Sequence, residues 1–185
     1  MDMVKDLLAL KYKVLPNVYE PAEDSFMLAK YGSKLKGTIL EIGCGSGFVC
    51  LTNALNNPKN IVLACDRSED ALRNAKENAE LNNIKNVKFI KSNLFSKIPA
   101  QKFDHILFNP PYLPTSKEEK LKGNLNYAYD GGIDGRKTLD KFLEQFEKFL
   151  KPSGLLKPFH QRARPFQRVS SPDWLMNMVL PVFGT

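Results

Sequence analysis

The sequence has no apolar run approaching the roughly 18 residues that a membrane span needs, so no transmembrane helix is expected. Its opening, "MDMVKDLLALKYKV", breaks its apolar residues with charges and makes a poor signal peptide, which leaves the cytoplasm as the expected compartment. Cysteine is scarce. Cys44, Cys50 and Cys65 are odd in number and show no CxxC spacing, which argues against a disulfide framework and against a zinc centre built by this chain. They read as small, reduced core residues. No GKS or GKT is present, so there is no phosphate-cradling P-loop, and the GxGxxG spacing of nicotinamide sites is missing. Internal repeats and low-complexity segments are lacking as well.

What is there fits one soluble α/β domain with a sizeable core: 185 residues, 43% hydrophobic and 25% charged. Four short β-like runs stand out at 38–43 ("TILEIG"), 60–66 ("NIVLACD"), 87–91 ("VKFIK") and 103–109 ("FDHILFN"). Helical patterns fall at 23–34, 48–56, 68–83 and 136–150. The third of these opens on Ser68 with acids in its first turn and spaces Ala71, Leu72, Ala75 and Ala79 along one face. Strands alternating with helices predict βαβ units and a parallel sheet. The first, second and fourth runs are apolar almost throughout, as strands covered on both faces must be.

Between the first strand and the next helix lies "LEIGCGSGF", which places Glu41, Gly43, Gly45 and Gly47 in one loop. Glycines there permit positive φ and let a ligand touch the backbone. Asp66 ends the second strand 19 residues after Gly47. An acid at that place in such a fold can accept hydrogen bonds from ribose hydroxyls.

"NPPY", Asn109-Pro110-Pro111-Tyr112, closes the fourth run. In open α/β sheets ligands sit at the carboxyl ends of the strands. The two prolines fix φ and remove two N–H donors, which leaves carbonyls free to face a pocket. The Asn109 side-chain oxygen and the Pro110 carbonyl can together accept both N–H bonds of one planar –NH2 group, and the Tyr112 ring can stack on its plane. Such nitrogens are weak nucleophiles, so their activation is a matter of positioning and electrostatics. His105, in mid-strand, reads as a core or sheet-face residue and not as a base.

ExGxGxG followed by an acid ending the second strand resembles the class I S-adenosylmethionine-dependent methyltransferases, a Rossmann-like parallel sheet with helices on both faces. The resemblance implies that the loop passes the methionine part of the cofactor and that Asp66 holds the ribose. It puts Asn93, with Leu94, at the adenine ring; the family usually has Asp there, and Asn keeps one acceptor but loses the charge. NPPY is shared by enzymes that methylate planar nitrogens: the amino groups of DNA adenine and cytosine, and the glutamine side-chain amide. "VYEPAEDSFMLAK" (18–30) and "YAYDGGIDGRKTLDKFL" (127–143) are similar to the HemK/PrmC family, in its compact archaeal and eukaryotic branch. The resemblance covers roughly residues 12–154. It implies methylation of the glutamine in the Gly-Gly-Gln motif of a translation termination factor. Ser25, Glu41, Gly43, Asp66, Asn93, Leu94 and Asn109 would lie at the cofactor, and Asn109, Pro110 and Tyr112 would hold the amide, with "GGIDGR" helping to close the peptide channel. It also implies a small zinc-binding activator protein on the third-strand edge, residues 86–92. Two rival readings stand beside this one: a nucleic-acid amino methyltransferase, and a non-catalytic cofactor-binding partner subunit.

The expected methyltransferase domain spans residues 1–155. Residues 156–185 hold four prolines and no clean period, where a further apolar strand is expected. Lys157, Arg162, Arg164 and Arg168 against Asp173 give this tail +3 of the total +7, leaving +4 for the domain. A frameshift near residue 155, a divergent ordered tail and a basic RNA-contacting element would each account for it. Without a fifth strand the fourth becomes an exposed edge, so a poorly stable or inactive chain is one expectation.

Overall fold

The computed structural model describes residues 9–111 and 132–152. Four strands form one parallel sheet in the order β3-β2-β1-β4: β1 Thr38–Ile42, β2 Ile61–Asp66, β3 Val87–Lys91 and β4 His105–Phe108. Each lies within its predicted run. Ile39, Leu40, Glu41 and Ile42 are consecutive in β1 and all buried, so both faces of the sheet centre are covered. β3 is an edge of this sheet, and its residues are half-buried or exposed. The order agrees with the class I methyltransferase fold. The predicted fifth-strand region and the 156–185 tail lie outside the described residues, as does Tyr112.

Helix α1 Glu23–Gly32 precedes β1, and the crossover helices are α2 Phe48–Asn56 and α3 Glu69–Leu81. α3 begins where the sequence predicts. The Ser68 hydroxyl accepts from the Ala71 N–H at 3.3 Å, and Glu69 and Asp70 sit at the positive end of the helix dipole. It ends in a Schellman turn on Asn83 (φ 54°), with Ile84 N–H bonded to the Ala79 carbonyl and Asn83 N–H to that of Glu80. An extended strap, residues 10–15, runs along α3 and is tied to it by Asn74, Asn78 and Asn82. Among the described residues no helix is long and apolar enough to cross a membrane.

The single helix predicted over 136–150 is corrected. An α-helix, α4, covers Lys137–Leu143, and a 3-10 turn follows at Phe146–Phe149. At the far end of the segment a parallel bridge joins Phe103 and Leu150, with Phe103 N–H bonded to the Phe149 carbonyl at 2.8 Å. That bond requires Leu150 to be extended, so the helix cannot run through it. The change of helix type keeps the aromatic residues packed: Phe142 lies 4.7 Å from Phe108 and 5.4 Å from Phe95, ring centre to ring centre, and Phe95 stacks on Phe149 at 4.7 Å.

Candidate active site

The carboxyl ends of β1, β2, β3 and β4 open on one cleft of about 200 Å³. Its walls bring together Ser25, Glu41, Gly43, Gly45, Asp66, Asn93, Leu94, Asn109, Pro110 and Pro111. Gly47 stands apart from it. Its positive φ (82°) starts α2, and a Cβ there would lie 2.9 Å from the Ala75 Cβ, so this glycine permits close packing of the loop on α3. Gly45 differs: a Cβ added there meets nothing within 4 Å, which leaves an open floor over the loop.

Asp66 braces that loop. Its Oδ2 accepts from the Gly45 N–H at 3.0 Å and its Oδ1 from the Ser68 N–H at 2.9 Å. Burial pushes its carboxyl above the usual range, while the bonds from Ser68, Gly45 and Arg67 pull the other way. Glu41 is 3% exposed at the heart of β1. Burial pushes its carboxyl up to about 8, against hydrogen bonds from Cys50. Its Oε2 has no hydrogen-bond partner among the described residues. Burial also raises the thiols of Cys44 and Cys50, and that of Cys65 to about 12, so all three stay protonated at neutral pH.

Beyond β3, Leu94 takes a left-handed backbone (φ 49°), which is uncommon for a side chain of its size. Ser92 holds it there: its hydroxyl donates to the Leu94 carbonyl at 2.7 Å and accepts from the Lys97 N–H at 3.0 Å. The turn leaves exposed Asn93 and half-buried Leu94 on the rim of the cleft.

Asn109 Nδ2 donates to Asp24 Oδ2 at 3.0 Å. Asp24 also accepts from the Ser25 N–H at 2.6 Å, the Ser25 hydroxyl at 3.3 Å and the Tyr19 hydroxyl at 3.3 Å. With its N–H2 turned toward Asp24, the Asn109 Oδ1 is buried and has no hydrogen-bond partner among the described residues. Sequence reasoning assigned no site role to Asp24, Tyr19 or Ser92. "YEPAEDS" carried the signal for the first two, but the bond joining Asp24 to NPPY spans 85 residues and no local pattern announces it.

The donor set suits S-adenosylmethionine, which carries a sulfonium, an ammonium and two ribose hydroxyls. Three acids, Asp24, Glu41 and Asp66, face the cleft. A buried Glu41 carboxyl oxygen without a hydrogen-bond partner among the described residues is open to a donor, and Gly45 leaves space above the backbone. Fold and cleft together define a methyltransferase that uses S-adenosylmethionine.

The model of the methyltransferase small domain family matches residues 23–124. A Methanocaldococcus jannaschii protein, provisionally named a protein N5-glutamine methyltransferase, is 46% identical over 156 residues, which are 84% of this chain and 78% of that one. A release factor glutamine methyltransferase of Thermodesulfovibrio yellowstonii is 35% identical over 80% of this chain; the chain spans 57% of that relative's length. In fold it is similar to the ribosomal protein L11 methylase of Lactobacillus delbrueckii subsp. bulgaricus, with a TM-score of 0.56 at 23% identity, covering 81% of this chain and 71% of that one. The chain belongs to the HemK/PrmC family of protein N5-glutamine methyltransferases, built on the methyltransferase small domain.

Proposed function

We propose that this enzyme transfers a methyl group to the side-chain amide nitrogen of the glutamine in the Gly-Gly-Gln loop of a translation termination factor. The observation that carries this reading is the buried Asn109 Oδ1 in NPPY, which has no hydrogen-bond partner among the described residues while its own N–H2 is engaged by Asp24.

When bound, S-adenosylmethionine supplies an electrophilic methyl carbon. Ser25, Glu41, Gly43, Gly45, Asp66, Asn93, Leu94 and Asn109 hold it, with Gly47 supporting the loop from behind. Asn109 Oδ1 and the Pro110 carbonyl accept the two N–H bonds of the substrate amide, while Pro111 fixes the backbone. The N–C bond would form as the sulfonium S–C bond breaks and leaves a neutral thioether; these acceptors would stabilise the positive charge on the nitrogen and hold the attack line, which is a positioning and electrostatic contribution. The acceptor oxygen of an amide is too weak a base to keep the proton released, which passes to solvent.

The exposed edge of β3 supports a finer proposal. Val87, Phe89 and Ile90 are half-buried and Lys88 and Lys91 exposed, a composition suited to strand addition by a small zinc-binding activator. A labelled-methyl assay with a termination factor and with DNA tests the substrate. Label on the factor is expected; label on DNA alone would replace this reading with the base-amine one.

A further inference from the structure

The strap on α3 is held in an unusual way. Asn82 accepts from the Lys11 N–H at 2.9 Å and donates to the Lys11 carbonyl at 2.6 Å. Asn78 accepts from the Lys13 N–H at 3.0 Å and donates to the Lys13 carbonyl at 2.9 Å. Asn74 accepts from the Leu15 N–H at 2.8 Å and donates to the Lys13 carbonyl at 2.8 Å. Three amide side chains at i, i+4 and i+8 thus replace a neighbouring β-strand, antiparallel to the strap. The periods nearly agree: four helical residues rise about 6 Å and two extended residues about 6.6 Å. One register therefore satisfies all three rungs, and a slip of one residue satisfies none.

The middle rung does more. The second N–H of Asn78 donates to the Ser46 carbonyl at 2.9 Å, so its amide donates twice and accepts once with no exposure to water. Ser46 belongs to the glycine loop, is 2% exposed and lines the cleft. At the other end of the strap, the Val18 N–H bonds to the Leu15 carbonyl at 3.2 Å and closes a turn in which Asn17 has φ 65°. Asn17, Val18, Tyr19 and Pro21 then form a wall of the same cleft. Asn78 is thus bonded directly to one wall, through Ser46, and to the strap that leads into the other, through the backbone of Lys13, without lining the cleft itself.

We propose that Asn78 is a positioning residue for the cofactor: it sets the strap and the glycine loop in one register, so ligand binding and strap docking strengthen each other. The proposal rests on the cofactor reading of the cleft. Coupling of this kind is reciprocal, which separates it from a merely stabilising buried amide.

The test uses the full chain and S-adenosylhomocysteine, with calorimetry for Kd and amide hydrogen exchange for the strap. Binding to the unmutated chain is expected to slow exchange at Lys11, Lys13 and Leu15. Asn78→Ala is expected to raise Kd about tenfold or more, and Asn82→Ala, which removes only the half-buried outer rung, less than about threefold. Unchanged strap exchange on binding would overturn the proposal, and that measurement needs no variant. A folded Asn78→Ala chain that loses only melting temperature and keeps its Kd would overturn it too. Failure of the unmutated chain to bind at all would instead sink the cofactor reading beneath it.

Discussion

Asp24 and Asn109, 85 residues apart in the chain, are joined by a 3.0 Å hydrogen bond from the Asn109 N–H2 to the Asp24 carboxylate. An asparagine amide can turn over with little change of shape, exchanging donor for acceptor. Asp24, an acceptor only, settles which end faces the cleft. It thereby converts Asn109 into an oxygen acceptor aimed at a substrate N–H2.

Asp24→Ala removes that choice. The expected result is a fall in kcat of roughly tenfold to a hundredfold, the scale of lost positioning, with a smaller change in cofactor Kd. Asp24→Asn, which can still accept through its own oxygen, is expected to retain more activity. Steady-state kinetics at saturating cofactor would check both; equal kcat in Asp24→Ala and the parent would contradict the orienting role.

Glu41 makes stability and binding depend on pH. Its native pKa of about 8 exceeds its ordinary 4.5, so between those values the folded chain holds a proton that the unfolded chain has lost. Its contribution is complete below about 4.5 and is lost as pH rises through about 8. Asp66, also raised, acts in the same direction. Urea midpoints of the parent should therefore fall more steeply between about pH 4.5 and 8, the span over which the folded chain alone holds this proton, than those of Glu41→Gln. A cationic ligand favours the ionised carboxylate, so cofactor binding should release protons in the same window. Titration calorimetry in two buffers of different ionisation heat measures that release.

Two glycines of one loop should fail differently. At Gly47 a methyl group meets the Ala75 Cβ at 2.9 Å and Leu51 Cδ1 at 3.0 Å, at φ 82°. Gly47→Ala should cost about 2–4 kcal/mol of stability, from overpacking and backbone strain together. At Gly45 the new methyl meets no protein atom. Gly45→Ala should cost about 1 kcal/mol of strain yet weaken cofactor binding severely, because the methyl takes the ligand's space. Thermal melts paired with calorimetry separate the two; a Gly45→Ala chain that binds normally would contradict the placement of the cofactor over this loop.

The sequence made the strands, the glycine loop, Asp66 and NPPY legible because each is a local pattern: an apolar run, a turn that needs positive φ, an acid at a strand end. What escaped it joins remote segments. Asn74, Asn78 and Asn82 carry no local signal of a role, yet all three bond to a strap 59 to 71 residues away and the first two are fully buried. Asn53 and Asn60 are hidden in the same way, sealing the Gly32 and Leu35 carbonyls beneath the sheet. The extended end of the 136–150 segment, at Leu150, pairs with Phe103, more than 40 residues earlier. In each case a side chain or strand satisfies a backbone group that its own neighbours leave open, and spacing along the chain carries no trace of that.

The central claim is that NPPY and its Asp24 brace present a glutamine amide to the cofactor's methyl group. It is tested most directly by incubating the chain with S-adenosylmethionine and a termination factor, then mapping the modification by tandem mass spectrometry. The account predicts one added methyl on the side-chain nitrogen of the Gly-Gly-Gln glutamine, lost when Asn109 is replaced by Ala. A methyl on another residue of the factor, or undiminished transfer by the Asn109→Ala chain, would contradict it.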